Sequence, residues 1–401
     1  MVGGGITGVS AALHLAERGV ASVVLDARGI GWGASGRAFG QVVPYLKHDA
    51  PQILGRYGPE RGERIIRAIG DGPALVAGVI DRYGIDCDLR RGGLLFGAHA
   101  PSGEQTLQAR AAFWQQRGAP VEVLSPTATQ AAIGSDHYRM ALLDHRGIHL
   151  NPYAYTCGLA AAAQARGARI VTGEGVDCLK REGTSWRLQA GPHVLEADTV
   201  ILATNAYSGR LWPGLAESIV PIRGHGAVTA PLSDNQRRGI LPGGQALTDT
   251  RRLFSGIRIL PDGRLHASID GPVRGPEAPP DMAKLDARIR VLFPWLAPVR
   301  WEETWSGFFA MTPDHFPRVH ALAPGLFAGL GYSGRGIAAA TMIGAELAAR
   351  ACGVPDRDLV FPLSPLKPIP GRRFAAVPVA AILAWWRWRD TIDDREVLRR
   401  R

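Results

Sequence analysis

Cysteine is scarce in this 401-residue chain: Cys87, Cys157, Cys178 and Cys352 are scattered, and no two form a C-x-x-C. That excludes a disulfide-stapled scaffold and a thiolate zinc site, and it fits a reducing compartment. Long apolar runs are missing too, since nothing approaches the roughly 20 apolar residues that a membrane-spanning helix requires. Basic runs interleaved with aromatics are absent. The net charge of +10 therefore reads as an arginine-rich solvated surface, with no nucleic-acid partner expected. The 11 histidines form no metal-ligand pattern, so no metal is expected either. Internal repeats are lacking. What remains, 46% hydrophobic and 20% charged residues, is the composition of an ordinary globular protein long enough for two domains.

Chain is also in short supply ahead of the first glycine. Only Met1 and Val2 precede Gly3, where a buried strand of about five or six residues is the rule. We expect the innermost strand to be cut short, either by a start assigned too late or by a genuine loss that weakens the fold. A fingerprint that begins at residue 3 leaves no room for a secretory leader, and the cytoplasm is the expected compartment.

Glycine, by contrast, is abundant at 50 residues, and its placement is informative. Gly3, Gly5 and Gly8 form a G-x-G-x-x-G that opens a helix with Val9, Ala12, Leu13 and Ala16 on one face and Gly19 at its end. The apolar run Ala21–Leu25 follows and ends in Asp26. In a βαβ unit the first glycine makes the tight turn, the second lets backbone approach a pyrophosphate, and the third lets helix and strand pack closely. The helix N-terminus offers N–H groups and partial positive charge to phosphates, and an acid about 20 residues on accepts hydrogen bonds from a ribose. Gly29–Gln41 holds five glycines in thirteen residues, too many for a regular element, as in a loop that approaches a ligand closely.

Farther along, residues 59–83 read as one long amphipathic helix, 104–117 as another, and 152–166 as an alanine-rich third. Residues 94–96, 168–172 and 176–179 are expected strands, 186–189 and 193–195 a hairpin, and 198–205 a buried strand. Residues 219–305 alternate strand-like runs with turns such as Pro261-Asp-Gly263, which predicts an antiparallel sheet and a second domain. The strand 325–330 leads through Gly331-Tyr-Ser-Gly-Arg-Gly336 into a helix from Ile337 to Arg350, a second glycine-rich strand-to-helix turn. Residues 361–373 are a proline-rich connector. The tail runs from apolar Phe374–Trp386 into Arg387, Arg389 and Arg399–Arg401. Its Trp385, Trp386 and Trp388 either anchor an interfacial helix at a membrane surface or belong to a helix docked on the protein itself.

Taken together, these stretches resemble the D-amino-acid oxidase group of FAD-dependent oxidoreductases. The matching segments are Gly3–Gly8, Gly33-Ala-Ser-Gly-Arg37 with Gly40-Gln41, Val200–Tyr207, Trp305-Ser-Gly307 with Thr312-Pro-Asp314, and Gly329–Ile337. The Gly33–Arg37 stretch and Arg258 are most similar to the γ-glutamylputrescine oxidase branch. The fold that the resemblance implies is α/β: a discontinuous Rossmann-like FAD-binding domain (1–75, 145–212, 312–362) and an antiparallel-sheet, α+β substrate domain (76–144, 213–311). Residues 363–401 would form a connector and C-terminal helix. Gly3, Gly5, Ile6, Thr7 and Gly8 would hold the FAD pyrophosphate, and Asp26 with Ala27 the adenosine ribose. Ala34, Ser35, Gly40 and Gln41 would line the ribityl chain and flavin, Val176 the adenine, and Ala203 and Thr204 the dinucleotide. Gly331, Ser333, Gly334, Arg335, Gly336 and Ile337 would bring backbone N–H groups to the flavin pyrimidine edge, where reduction places negative charge. Relatives that tether flavin covalently use a cysteine or histidine in the stretches corresponding to Phe308–Met311 or Arg37–Phe39. Neither stretch has one, so FAD is expected to be non-covalent. Arginine stands at 335 where histidine is usual.

The implied activity is oxidation of a C–N bond by hydride transfer to flavin, after which the imine is hydrolysed. The substrate is a small amine or amino acid, γ-glutamylputrescine-like, and the electron acceptor is oxygen or a quinone. A glycine, sarcosine or D-amino-acid oxidase or dehydrogenase is the alternative. An NAD-dependent dehydrogenase, or an inactive flavoprotein relative lacking its first strand, are alternatives of other classes; the NAD fold does not call for the second glycine turn. Arg258 is the candidate grip for a substrate carboxylate, and His225 for assisting amine deprotonation. Tyr332 is placed to cap the substrate, and Arg37 with Lys47 to influence oxygen reactivity.

Overall fold

The computed structural model describes residues 1–253, 255–271, 281–296, 298–372 and 376–399, and within the last segment the side chains of 380–394. The chain divides into two compact units. The first comprises Met1–Cys87, Asn151–Ile222 and Phe308–Arg372, and the second Asp88–Leu150, Arg223–Gly307 and Arg373–Arg401. The first division falls at 87 rather than 75, because the helix Gly72–Tyr83 runs on to its left-handed cap at Gly84. The C-terminal segment groups with the second unit instead of standing apart.

In the first unit, Val23–Asp26 pairs parallel with Arg169–Thr172, and Val200–Leu202 pairs parallel with Leu326–Leu330, which is flanked by antiparallel Arg318–Ala323. The two groups are joined where the first strand was expected. Val2 bridges Leu25 on one side and Leu202 on the other, both parallel, and its N–H donates to Ile201 O at 2.8 Å while its carbonyl accepts from Ala203 N at 2.8 Å. Two residues thus close the sheet.

One sheet face packs Leu25, Val200, Leu202, Leu326 and Leu330 against Trp186 and Leu188 of a three-stranded antiparallel layer, Val176–Glu182, Ser185–Ala190 and His193–Ala197. The other face carries the helices Ile6–Ala16 and Gly336–Ala351. These approach closely because Gly344 has no side chain: a Cβ there would lie 2.6 Å from Thr7 O. The expected continuous helix over 59–83 is broken. Ala50–Gly70 kinks at Gly58 (φ 75), and Gly72–Tyr83 follows separately. A residue before proline is driven out of helical geometry, and Gly58 precedes Pro59.

The second unit is built on an eight-stranded sheet in the order Trp301–Met311, Val220–Pro231, Arg264–Asp270, Ser255–Ile259, Ala246–Asp249, Leu94–Gly97, Ala141–Asp144, Val121–Leu124. The middle of the chain pairs antiparallel as expected, but Ala246–Asp249 joins Leu94–Gly97 in parallel, which recruits the earlier strands to the same sheet. Residues facing one side, among them Leu95, Leu143, Ala227, Leu247, Ile257 and Ala267, form a core with Leu285, Ile289 and Leu292 of the helix Met282–Leu292. Among the described residues no helix is long and apolar enough to cross a membrane.

Candidate functional site

The first glycine turn is fixed by contacts that exclude side chains. A Cβ on Gly8 would lie 2.0 Å from Gly3 O, one on Gly3 2.8 Å from Ala203 O, and one on Gly5 2.8 Å from Ser35 Oγ. Ser35 accepts the Ile6 N–H at 3.0 Å, so the second glycine loop is tied to the start of the helix. Asp26 accepts from Gly4 N at 2.7 Å and Arg28 N at 2.8 Å. With two oxygens it keeps acceptor capacity for hydroxyl groups. Ala27 touches this neighbourhood from the other side, since a Cβ on Gly175, the residue before Val176, would meet its methyl at 3.2 Å. The helix Pro152–Gln164 is capped by the Asn151 side chain, whereas the helices after both glycine turns start with no side-chain cap. Apart from the Ile6 N–H taken by Ser35, their N-terminal partial charge is left for another acceptor.

The second turn carries three left-handed residues in four, Gly331 (φ 80), Ser333 (φ 52) and Gly334 (φ 83). For the buried Ser333 this is a strained conformation, of the sort kept where a site requires it. Asn205 Oδ1 accepts from Gly331 N at 3.0 Å, and Ser333 N donates to Ala310 O at 3.0 Å, so the turn is held from two sides. Tyr332 links the turns: its hydroxyl lies 2.6 Å from Thr7 Oγ1, and it is 7% exposed. Tyr332 therefore ties the two glycine turns together through its hydroxyl. Arg37 stacks its guanidinium 4.4 Å from the Trp32 ring. The Lys47 side chain is open to solvent.

These residues fit an FAD. The glycines form a cradle that any Cβ would fill, and Gln41 Nε2 is a buried donor with no partner, at a position expected to face the flavin. Ala34, Ser35, Gly40, Gln41, Ala203, Thr204 and the Gly331–Ile337 turn all belong to the first unit.

In the second unit, register separates two candidates that the sequence left together. His225 lies opposite Ile269, and Ala227 opposite Ala267, so His225 points to the core face. Arg258 lies opposite His266, and Gly256 opposite Ser268, which places Arg258 on the reverse face. Side chains alternate along a strand, so His225 cannot stand beside Arg258. His266 does. The Arg258 guanidinium, 5% exposed, donates from Nε to His266 Nδ1 at 3.3 Å and from Nη1 to Leu150 O at 2.8 Å and His149 Nδ1 at 3.4 Å. His149 Nε2 in turn lies 2.8 Å from Gly244 O. The His266 ring tilts against Trp305, centroids 5.1 Å apart, and Trp305 covers Gly226, where a Cβ would meet the indole at 2.5 Å.

Burial, opposed by Asp88, pushes the Arg258 guanidinium down to about 10. Burial also holds the imidazoles neutral, His149 at about 4 and His266 well below its ordinary value, with Arg258 adding to both. His266, His149 and Trp305 were missed as site residues. The signal existed for one of them, because a turn centred on Asp262 makes residues 258 and 266 partners.

Among the described residues, His99, Asp390 and Asp393 are grouped closely enough to hold a metal, an arrangement that sequence spacing did not reveal. Arg252 Nη1 already bridges both carboxylates at 2.7 Å each, so a guanidinium is the cation there.

The sequence model of a family described as FAD dependent oxidoreductase matches residues 1–350. The chain is similar to gamma-glutamylputrescine oxidoreductase of Escherichia coli strain K12, 33% identical over 396 residues that take in 98% of this chain and 92% of that protein. It is also similar to a probable oxidoreductase, OrdL, of Rhizobium meliloti strain 1021, 29% identical over 97% of this chain and 91% of that one. In fold it matches glycine oxidase from Geobacillus kaustophilus with a TM-score of 0.73 at 22% identity, covering 87% of this chain and 93% of the other. The L-proline dehydrogenase from P. horikoshii matches with a TM-score of 0.72 at 19% identity, covering 87% and 92%.

Proposed function

The chain belongs to the FAD-dependent oxidoreductase family, and from that premise we propose that it oxidises a C–N bond of a small amine that also carries a carboxylate, γ-glutamylputrescine-like by preference. One observation supports the substrate class above all. Arg258 is a buried guanidinium on the face of the sheet away from the core, oriented by His266, His149 and Leu150 O. A planar guanidinium is suited to take a carboxylate through a bidentate, charge-assisted pair. Gly3, Gly5, Ile6, Thr7 and Gly8 would hold the dinucleotide phosphates, Asp26 the ribose, and the Gly331–Ile337 turn the pyrimidine edge of a non-covalent flavin. When bound, FAD supplies the acceptor for the hydride that leaves the carbon next to nitrogen. The protein grips the anion, orients the amine and excludes water; hydrolysis of the released imine needs no further group.

We also propose a peripheral contact with an anionic membrane surface, which would suit a quinone as electron acceptor, oxygen being the alternative for a wholly cytoplasmic enzyme. The helix Ala376–Arg399 exposes Ile382, Trp385 and Trp388, at 46%, 54% and 57%. These lie on one outward face of a chain with net charge +10. Expected residues 374–375 and 400–401 of this tail lie outside the described residues.

The decisive experiment is anaerobic addition of amines and amino acids to the purified protein, followed by its visible spectrum. Bleaching by γ-glutamylputrescine or another carboxylate-bearing amine, and not by putrescine alone, is the expected result. Bleaching by putrescine as readily would overturn the carboxylate requirement. Re-oxidation by air or by a quinone then identifies the acceptor.

A further inference from the structure

On the reading of Arg258 as the grip for a substrate carboxylate, a second charge at the same place narrows the substrate further. The segments 87–90 and 149–151 lie side by side: Arg90 and His149 exchange backbone hydrogen bonds at 2.8 and 3.0 Å, and Cys87 O accepts from Asn151 N at 2.7 Å. Leu150 falls inside this pairing, and its carbonyl receives Arg258 Nη1 at 2.8 Å. Asp88 falls inside it too, from the opposite segment, and its carboxylate opposes the effect of burial on the Arg258 guanidinium. Both residues belong to the second unit. Asp88 is exposed, whereas Arg258 is buried. The backbone of Asp88 is left-handed, with φ 52. Asparagine and glycine adopt that geometry as readily, so the turn itself does not call for a charge. A carboxylate arriving alone at Arg258 meets the repulsion of Asp88. An ammonium on the neighbouring carbon turns that repulsion into attraction, because the two signs act oppositely over the same few ångströms. A guanidinium and a carboxylate side by side therefore match a dipolar head better than an anion.

We propose that Asp88 and Arg258 form a clamp for a zwitterion, which takes the α-ammonium and α-carboxylate of an amino-acid head group and leaves the amine at the far end of the substrate for oxidation. Asp88 is then the residue that determines specificity for the head. A γ-glutamyl group carries such a head, and a glutaryl group of the same length lacks only its ammonium.

The test compares L-glutamate with glutarate as probes on the FAD-loaded enzyme, with Kd read by anaerobic titration calorimetry. Wild type should bind glutamate about fivefold more tightly than glutarate, as for an ion pair still partly open to water. Asp88→Asn keeps the left-handed backbone and removes the charge. It should weaken glutamate binding about fivefold and leave glutarate binding unchanged or tighter, whereas a merely structural defect would weaken both. With substrates, Asp88→Asn should raise KM for γ-glutamylputrescine about fivefold and not for N-glutarylputrescine, with kcat within about twofold for each. Glutamate and glutarate bound equally by wild type would overturn the proposal, as would a glutamate preference that survives in Asp88→Asn. If Asp88→Asn does not fold, Asp88→Gly makes the same comparison. Arg258→Ala separates the two levels: unchanged glutarate binding there would remove the carboxylate grip itself, whereas lost glutarate binding with a preference indifferent to Asp88 would remove only the role of Asp88.

Discussion

Adding one methyl group at Gly8 should empty the cofactor site. A Cβ at that position would lie 2.0 Å from Gly3 O, 3.2 Å from Gly3 C and 3.4 Å from the Ala203 methyl. Cβ atoms essentially never approach another heavy atom closer than 3.0 Å, so the helix Ile6–Ala16 must withdraw from the turn by about 1 Å. The obstacle is backbone on both sides, and no rotamer change relieves it. Overpacking of this kind costs about 1–3 kcal/mol, and the upper end is appropriate where backbone meets backbone. The same movement carries the N-terminal N–H groups away from the phosphates. Loss of about 3 kcal/mol corresponds to a roughly hundredfold weaker FAD complex.

The assay is titration of deflavinated protein with FAD, followed by quenching of flavin fluorescence, for wild type and Gly8→Ala. Gly55→Ala is the control. Gly55 sits in the helix Ala50–Gly70, and a methyl group added there would meet nothing within 4 Å, so alanine should raise stability by about 0.5–1 kcal/mol and leave FAD affinity unchanged. A Gly8→Ala protein that binds FAD within threefold of wild type would refute the assignment of this turn to the cofactor.

Arg258→Ala should lower kcat/KM for a carboxylate-bearing amine at least a hundredfold, the loss of about 3 kcal/mol expected for a charge-assisted pair; an unchanged value removes Arg258 from the site. Asp249 predicts an acid dependence of stability: burial pushes its carboxyl up, but Arg288, Arg251 and the Tyr138 hydroxyl outweigh this and hold it at about 2. A carboxyl whose folded pKa lies below its unfolded value stabilises the protein above the unfolded value and loses that contribution as pH falls toward the folded one. About 2 kcal/mol should therefore disappear between about pH 4 and pH 2, a slope that melting curves of Asp249→Asn should lack. Replacing Trp385 and Trp388 by alanine should reduce co-sedimentation with phosphatidylserine vesicles at least tenfold; wild type that ignores such vesicles removes the membrane contact.

What was legible in the sequence was local. The glycine turn, its helix and Asp26 occupy consecutive residues, and each part has a steric or electrostatic reason that does not depend on distant chain. The second turn at Gly331–Gly336 is legible on the same grounds, as is the Ser185–Ala197 hairpin. Illegible were the features set by pairing across the sheet. His225 and Arg258 are both histidine-or-arginine positions in strand-like segments, and only register shows that they face opposite sides. The tie from Tyr332 to Thr7, 325 residues away, was illegible for a similar reason: sequence separation conceals the partner. The shortened first strand was visible, but not that Val2 alone could satisfy both neighbours.

The orientation of the C-terminal helix is set by charge rather than by apolar patterning. Among the described side chains, its inward stripe is Leu383, Arg387, Asp390 and Asp394, four residues at helical spacing of which only one is apolar. Arg387 pairs with Asp270 at 2.6 Å, Asp390 with Arg252 at 2.7 Å, and Asp394 with Arg251 at 2.5 Å. Asp393 adds a second contact to Arg252 at 2.7 Å. The large apolar side chains Ile382, Trp385 and Trp388 face out. Among the described side chains, two tryptophans and an isoleucine are left outside while Leu383 is buried, so apolar area alone does not set this orientation. The charges decide the orientation because their partners are already fixed: Arg251 is held by Asp249, and Arg252 bridges two carboxylates one helical turn apart. An ion-pair network with partners placed in advance avoids much of the ordering entropy that makes isolated surface pairs weak. The outward tryptophans are then a consequence of the docking geometry, and a face that exposes them at the cost of burial has a reason to persist only if something covers it.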